Sequence, residues 1–164
     1  MKIPKDRIQQ GVELSIANSG RYVEDCKVLL QSKSLSHAVV MAIFACEEFA
    51  KAGFLLECLE KQKKEGIVEV NKKIFSSHEF KIQYARKLGL TLIMESSRLG
   101  YARLPFKLGG EDVVASPELR LDCAFVDYKD GKWNLGTDSQ MSSIQQFLYE
   151  IEEKLKHLKN RINA

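Results

Sequence analysis

The chain has 164 residues, 45% of them hydrophobic and 29% charged, with 25 basic against 22 acidic side chains. That length and apolar share suit one domain over residues 1–164 with one real core. The net charge of +3 neither declares nor opposes a nucleic-acid partner, and no apolar run of about 18 residues offers a membrane span. The first residues, Met1-Lys2-Ile3-Pro4-Lys5-Asp6, lack the apolar stretch of a secretory signal, so a soluble, cytoplasmic protein is expected.

Four helical patterns follow. In the first, from about Lys5 to Gln31, Ile8, Val12, Ile16, Ser19, Tyr22, Val23, Cys26, Leu29 and Leu30 recur at threes and fours, as a one-sided helix requires. The second runs from about Leu35 to Gln62, with Ser34 and Ser36 as candidate caps. Its middle, Ala38 to Cys46, is apolar on every side, which places it at the centre of the bundle. The third is expected to open at Ser76, whose spacing to Glu79 is that of a capping box. Its inward stripe is Ile82, Ala85, Leu88, Leu92 and Leu99, and Gly100 is the expected stop.

From Tyr101 to Leu119 the helical period is lost among Pro105, Gly109, Gly110 and Pro117, and the stretch reads as an ordered excursion. Leu121 to Tyr128, a turn at Lys129-Asp130-Gly131 and a return through Lys132-Trp133-Asn134 predict a small β-hairpin. The fourth helix is expected to begin at Thr137 with another capping-box spacing. Its seam of Met141, Ile144, Leu148, Ile151, Leu155, Leu158 and Ile162 fits packing along another helix, in this chain or a partner's. The expected fold is mainly α, an antiparallel bundle of four long helices with a small β-hairpin inserted before the last.

Few residues stand out chemically. Cys26, Cys46, Cys58 and Cys123 lie far apart, with no CxxC pair and no His at metal-ligand spacing, so buried thiols are expected and no metal site. Within the apolar second helix, Glu47 and Lys51 stand four residues apart in the favourable order, with Glu48 beside them. Charges entering a core need compensation; the plainer reading is an ion pair at the rim of the bundle. His78 opens the third helix, where the positive end of the dipole disfavours the imidazolium and leaves a ring able to accept a proton. Lys81 lies one turn further on; the plainer reading of His78 is an exposed helix-start histidine. His37 and His157 read as solvated. Basic runs at Lys61 to Lys73 and Lys154 to Arg161 read as solvated faces. No phosphate loop of the GK[ST] type follows Gly109-Gly110, and no GxSxG elbow is present.

Three stretches resemble a known family. Ser36-His37-Ala38 with Ala42 through Glu47-Glu48 to Ala52 resembles helix two of the AbiV-type abortive-infection family, within the HEPN superfamily of helical bundles. His78-Glu79-Phe80-Lys81 resembles its H-x-x-K segment. Arg120 through Phe125-Val126-Asp127-Tyr128 to Trp133 resembles its R…YVDY-x-DG-x-W hairpin. The resemblance implies bacterial phage defence, a HEPN-like bundle and a homodimer. It also implies a metal-independent endoribonuclease with RNA as substrate; no cofactor and no membrane partner are expected. The R-x(4–6)-H signature common in the superfamily is absent from this sequence. The candidate site therefore shifts to His78, Lys51, Glu47, Glu48 and Lys81, with Arg120 as a possible substrate-binding residue. In that scheme His78 exchanges protons, Lys51 and Lys81 stabilise phosphate charge, and Glu47 or Glu48 holds Lys51. The alternative is a non-catalytic interaction module that binds a phage or host protein; a phage-encoded activator or target is a candidate partner in either case.

Overall fold

A computed structural model describes residues 1–62, 66–90, 102–108, 111–115, 127–129, 132–134 and 141–163. The elements are β1 (Lys2–Pro4), α1 (Lys5–Gln31), α2 (Leu35–Lys61), β2 (Ile67–Glu69), α3 (Lys73–Ser76), α4 (His78–Lys87), β3 (Ala102–Leu108), β4 (Glu111–Ala115), β5 (Asp127–Lys129), β6 (Lys132–Asn134) and α5 (Met141–Ile162). The mainly helical expectation holds.

The first two helices end where the sequence places them. Pro4 precedes α1 with φ −58°, already suited to a helix start. Its far end closes on Lys33 at φ 60°, where Lys33 N donates to Leu30 O and Ser34 N to Leu29 O. That pair of bonds is the left-handed stop usually given to glycine. α2 starts after Ser34, whose hydroxyl caps nothing in its own helix and instead meets His37 Nδ1 at 3.0 Å.

α1 and α2 run antiparallel through a seam of small residues. Ser19 Oγ donates to Ala45 O at 2.7 Å, and Cys26 Sγ donates to Ala38 O at 3.1 Å. Ala38, Ala42, Ala45 and Ala52 are all fully buried, so the backbones approach closely enough for such short side chains to bridge them. α5 runs against α1 in the opposite sense, with Lys27 Nζ on Glu152 at 2.7 Å and Ile162 near Ile16 at the other end. Its buried seam is Ile144, Phe147, Leu148, Ile151, Leu155 and Leu158, and it packs within this chain.

The third helix departs from expectation at both ends. Its cap is Ser77, whose side chain accepts from Phe80 N at 3.1 Å, while Ser76 closes the short α3. The capping box of Ser76 and Glu79 therefore does not form; Glu79 accepts from Gln83 instead. α4 stops after ten residues because Gly89 takes φ +78°, its N–H bonds Arg86 O, and Leu90 N bonds Ala85 O. Leu92, Leu99 and Gly100 lie outside the described residues, as does the start of the last helix at Thr137.

Two antiparallel pairings were not anticipated. β1 pairs with β2, Ile3 opposite Val68, which lays Val68 and Val70 on the core. The side chain of Gln62 brackets the backbone of Glu69, accepting from its N–H at 2.8 Å and donating to its carbonyl at 3.2 Å, and so closes an open strand edge. β3 pairs with β4, and the register shifts between Leu104 and Lys107, where Pro105 cannot donate to a ladder. The expected hairpin is present as β5 and β6, with Tyr128 opposite Trp133; Leu121 to Val126 lie outside the described residues.

Candidate functional site

The polar centre of the molecule lies where α4 starts against the middle of α2. The two helices run in the same sense there. Glu47 meets His78 and Lys81, Phe54 meets Phe80 and Tyr84, and Glu57 meets Lys87. Gly53 faces Leu88, just past the end of α4: a methyl group on its Cα would fall 2.3 Å from Leu88 Cδ1. Glycine at this position leaves room for the Leu88 side chain to lie on α2.

Glu47 is the hub. His78 Nδ1 lies 2.6 Å from its Oε1, and Lys81 Nζ lies 2.6 Å from its Oε2. The residues are 31 and 34 positions away in sequence. Both carboxylate oxygens are thus claimed by one turn of α4. The side chains of Glu47 and Lys81 are only 6% and 8% exposed, whereas that of His78 is 35% exposed. The arrangement is graded, with ammonium and carboxylate inside and imidazole at the surface. An ionised carboxylate can only accept a hydrogen bond, so the His78 Nδ1 facing it carries the hydrogen.

Lys51 is placed differently from the expectation. Its Nζ bonds Glu48 Oε1 at 2.5 Å, three residues away, and both side chains are half-buried. Its expected pairing with Glu47 gives way because α4 supplies both of Glu47's partners. α2 therefore carries two adjacent carboxylates with separate roles, one reaching across to α4 and one neutralised on its own helix. Lys81, expected to stabilise charge on a substrate, has its ammonium turned inward onto Glu47. Arg120 lies outside the described residues, and His37 and His157 are exposed.

Beside this centre stands an aromatic cluster that the sequence reading did not single out. Phe54 meets Tyr84 edge-on at 5.0 Å and Phe80 at 5.6 Å. Lys87 Nζ lies 4.9 Å from the centre of the Tyr84 ring. The Tyr84 hydroxyl is buried and has no hydrogen-bond partner among the described residues. The spacing of Phe80 and Tyr84 at i and i+4 was the available signal.

The thiols are structural. Burial pushes Cys26 up to about 12, and it pushes Cys46 up further still, with the nearby Glu47 and Glu150 charges adding to the effect. Cys58, half-buried, is raised as well, chiefly by burial. Cys123 lies outside the described residues. No group of three or more His, Cys, Asp or Glu side chains among the described residues is gathered as a metal site.

Against the known protein families, the AbiV model of the HEPN group matches residues 7–160, nearly the whole chain. The chain belongs to the AbiV family. No curated protein and no solved structure matches it. Membership in AbiV gives the protein a HEPN-type, abortive-infection character. No helix among the described residues is long and apolar enough to cross a membrane.

Proposed function

We propose that this AbiV protein is a metal-independent endoribonuclease of phage defence, acting as a homodimer, with His78 as its proton-transfer group. The observation that carries the reading is the buried Glu47 carboxylate, which spans α2 and α4 to engage His78 Nδ1 at 2.6 Å. An imidazole held by a buried carboxylate and half-open to solvent is a built acid–base device. A solvated helix-start histidine needs no such partner.

The reaction is attack of a ribose 2′-oxygen on the neighbouring phosphorus. His78 Nε2 takes the 2′-hydroxyl proton, the P–O5′ bond breaks, and a proton is delivered to the leaving 5′-oxygen. The products are a 2′,3′-cyclic phosphate and a 5′-hydroxyl. One chain supplies one such histidine, so a dimer supplies the base and the acid together. Lys51, oriented by its ion pair with Glu48, is a candidate cation for charge on the phosphorane. Arg120 is a candidate contact to the substrate.

Purified protein incubated with total RNA and EDTA is expected to leave 2′,3′-cyclic phosphate ends. His78→Ala is expected to cut activity by about 10²-fold or more, the usual worth of a positioned acid–base group. Cleavage unchanged in the variant would remove His78 from the mechanism. RNA left intact by the protein both alone and with infected-cell lysate would favour the interaction module, the reading that the absent R-x(4–6)-H signature supports.

A further inference from the structure

We propose that Lys81 is a positioning residue. Its buried ammonium group holds Glu47 as an oriented carboxylate, and Glu47 in turn fixes His78 with the hydrogen on Nδ1. The consequence for rate rests on the endoribonuclease reading; the consequence for His78 itself does not.

Three observations carry it. Lys81 Nζ is 2.6 Å from Glu47 Oε2, and its side chain is only 8% exposed, so its ammonium is engaged inward on the carboxylate. His78 Nδ1 lies 2.6 Å from the other oxygen of the same carboxylate, so an ammonium and an imidazole share one carboxylate. The third is desolvation: a carboxylate 6% exposed is too costly to keep ionised without a counter-charge. With Lys81 present the ammonium supplies that charge, and the imidazole is released to act as a neutral hydrogen-bond donor through Nδ1. Without it, His78 becomes the counter-ion and is held in the doubly protonated form, which cannot act as a base. The other charged groups flanking Glu47 on α2 are Glu48 and Lys51, which are paired with one another, and from α5 the Glu150 charge acts with that of Glu47 on the neighbouring Cys46 thiol.

The test is the protonation of His78 followed by nitrogen chemical shifts across pH, in the free protein and in Lys81→Met, Lys81→Gln and Lys81→Arg. The imidazolium is expected to persist to higher pH by about one unit or more in Lys81→Met, the size of a neighbouring-charge effect. Lys81→Gln, which keeps a hydrogen bond to the carboxylate but no charge, is expected to shift it in the same direction should the methionine variant fail to fold. Lys81→Arg should restore the wild-type curve. In RNA cleavage the acidic limb of the kcat profile should move with the titration, while KM stays within about twofold because Lys81 does not touch substrate. Identical His78 titrations in wild type, Lys81→Met and Lys81→Gln would overturn the proposal, whatever the proteins do to RNA. A shifted titration in proteins that leave RNA intact would uphold Lys81 as the positioning group and dispose of the nuclease reading alone.

Discussion

The seam between α1 and α2 and the seam between α2 and α4 solve the same packing problem with opposite chemistry. In the first, alanines and short polar side chains meet, and the hydroxyl of Ser19 and the thiol of Cys26 end on backbone carbonyls. Every such group is satisfied at little cost. In the second, a carboxylate and an ammonium are buried together, a histidine is drawn half out of water, and the Tyr84 hydroxyl is buried with no partner among the described residues. Desolvating two charges costs several kcal/mol per ion, which their attraction only roughly repays. A helix pair that needed only to be stable would have used the first solution twice. The second seam thus carries buried charge and a partly exposed imidazole where the first carries short neutral groups.

The largest expected effect is at Glu47. Glu47→Ala strands Lys81 in the core, and breaking a buried pair in this way costs about 3–5 kcal/mol; chemical denaturation should show the loss.

High pH probes the apolar seam. A thiol whose pKa is higher in the fold than in the open chain stabilises fully below its open-chain value of about 8.5 and loses that contribution as pH rises toward the folded value. Cys26, at about 12, and Cys46 both qualify. Stability should therefore fall above about pH 9, by up to about 1.4 kcal/mol per pH unit for each thiol. A Cys26→Ala, Cys46→Ala double variant should show a flatter alkaline limb.

The smallest effects carry opposite signs in the two seams. Ser19→Ala should lower stability by about 1 kcal/mol through loss of a satisfied bond. Tyr84→Phe, which removes a buried hydroxyl lacking a partner, should raise it by a similar amount, about 1 kcal/mol. Thermal melts of the two single variants would show whether the signs differ.

The long helices were legible because each repeats its apolar residues over many turns; the ends of α1 and α2 fall within one residue of the pattern. The apolar period of the third helix runs on in sequence through Leu88 and Leu92, and the positive φ of Gly89 is what ends α4 at Lys87. β1 and β2, three residues each, are too short to show a period, and Pro105 disguised β3. At the site, Glu47, His78 and Lys81 could each be singled out by type and position. Their union could not, since sequence displays neighbours along one helix while Glu47 meets residues 31 and 34 positions away. The visible i,i+4 pair of Glu47 and Lys51 was the wrong partner for that reason.

The most direct test of the account is the unfolding free energy of the Glu47→Leu, Lys81→Met double variant in urea. If the charges serve His78 and not the fold, replacing both with apolar side chains of similar bulk leaves stability equal to wild type or up to about 4 kcal/mol higher. A double variant less stable by about 3 kcal/mol, the cost of breaking a structural pair, would make the charged centre part of the scaffold and contradict the account.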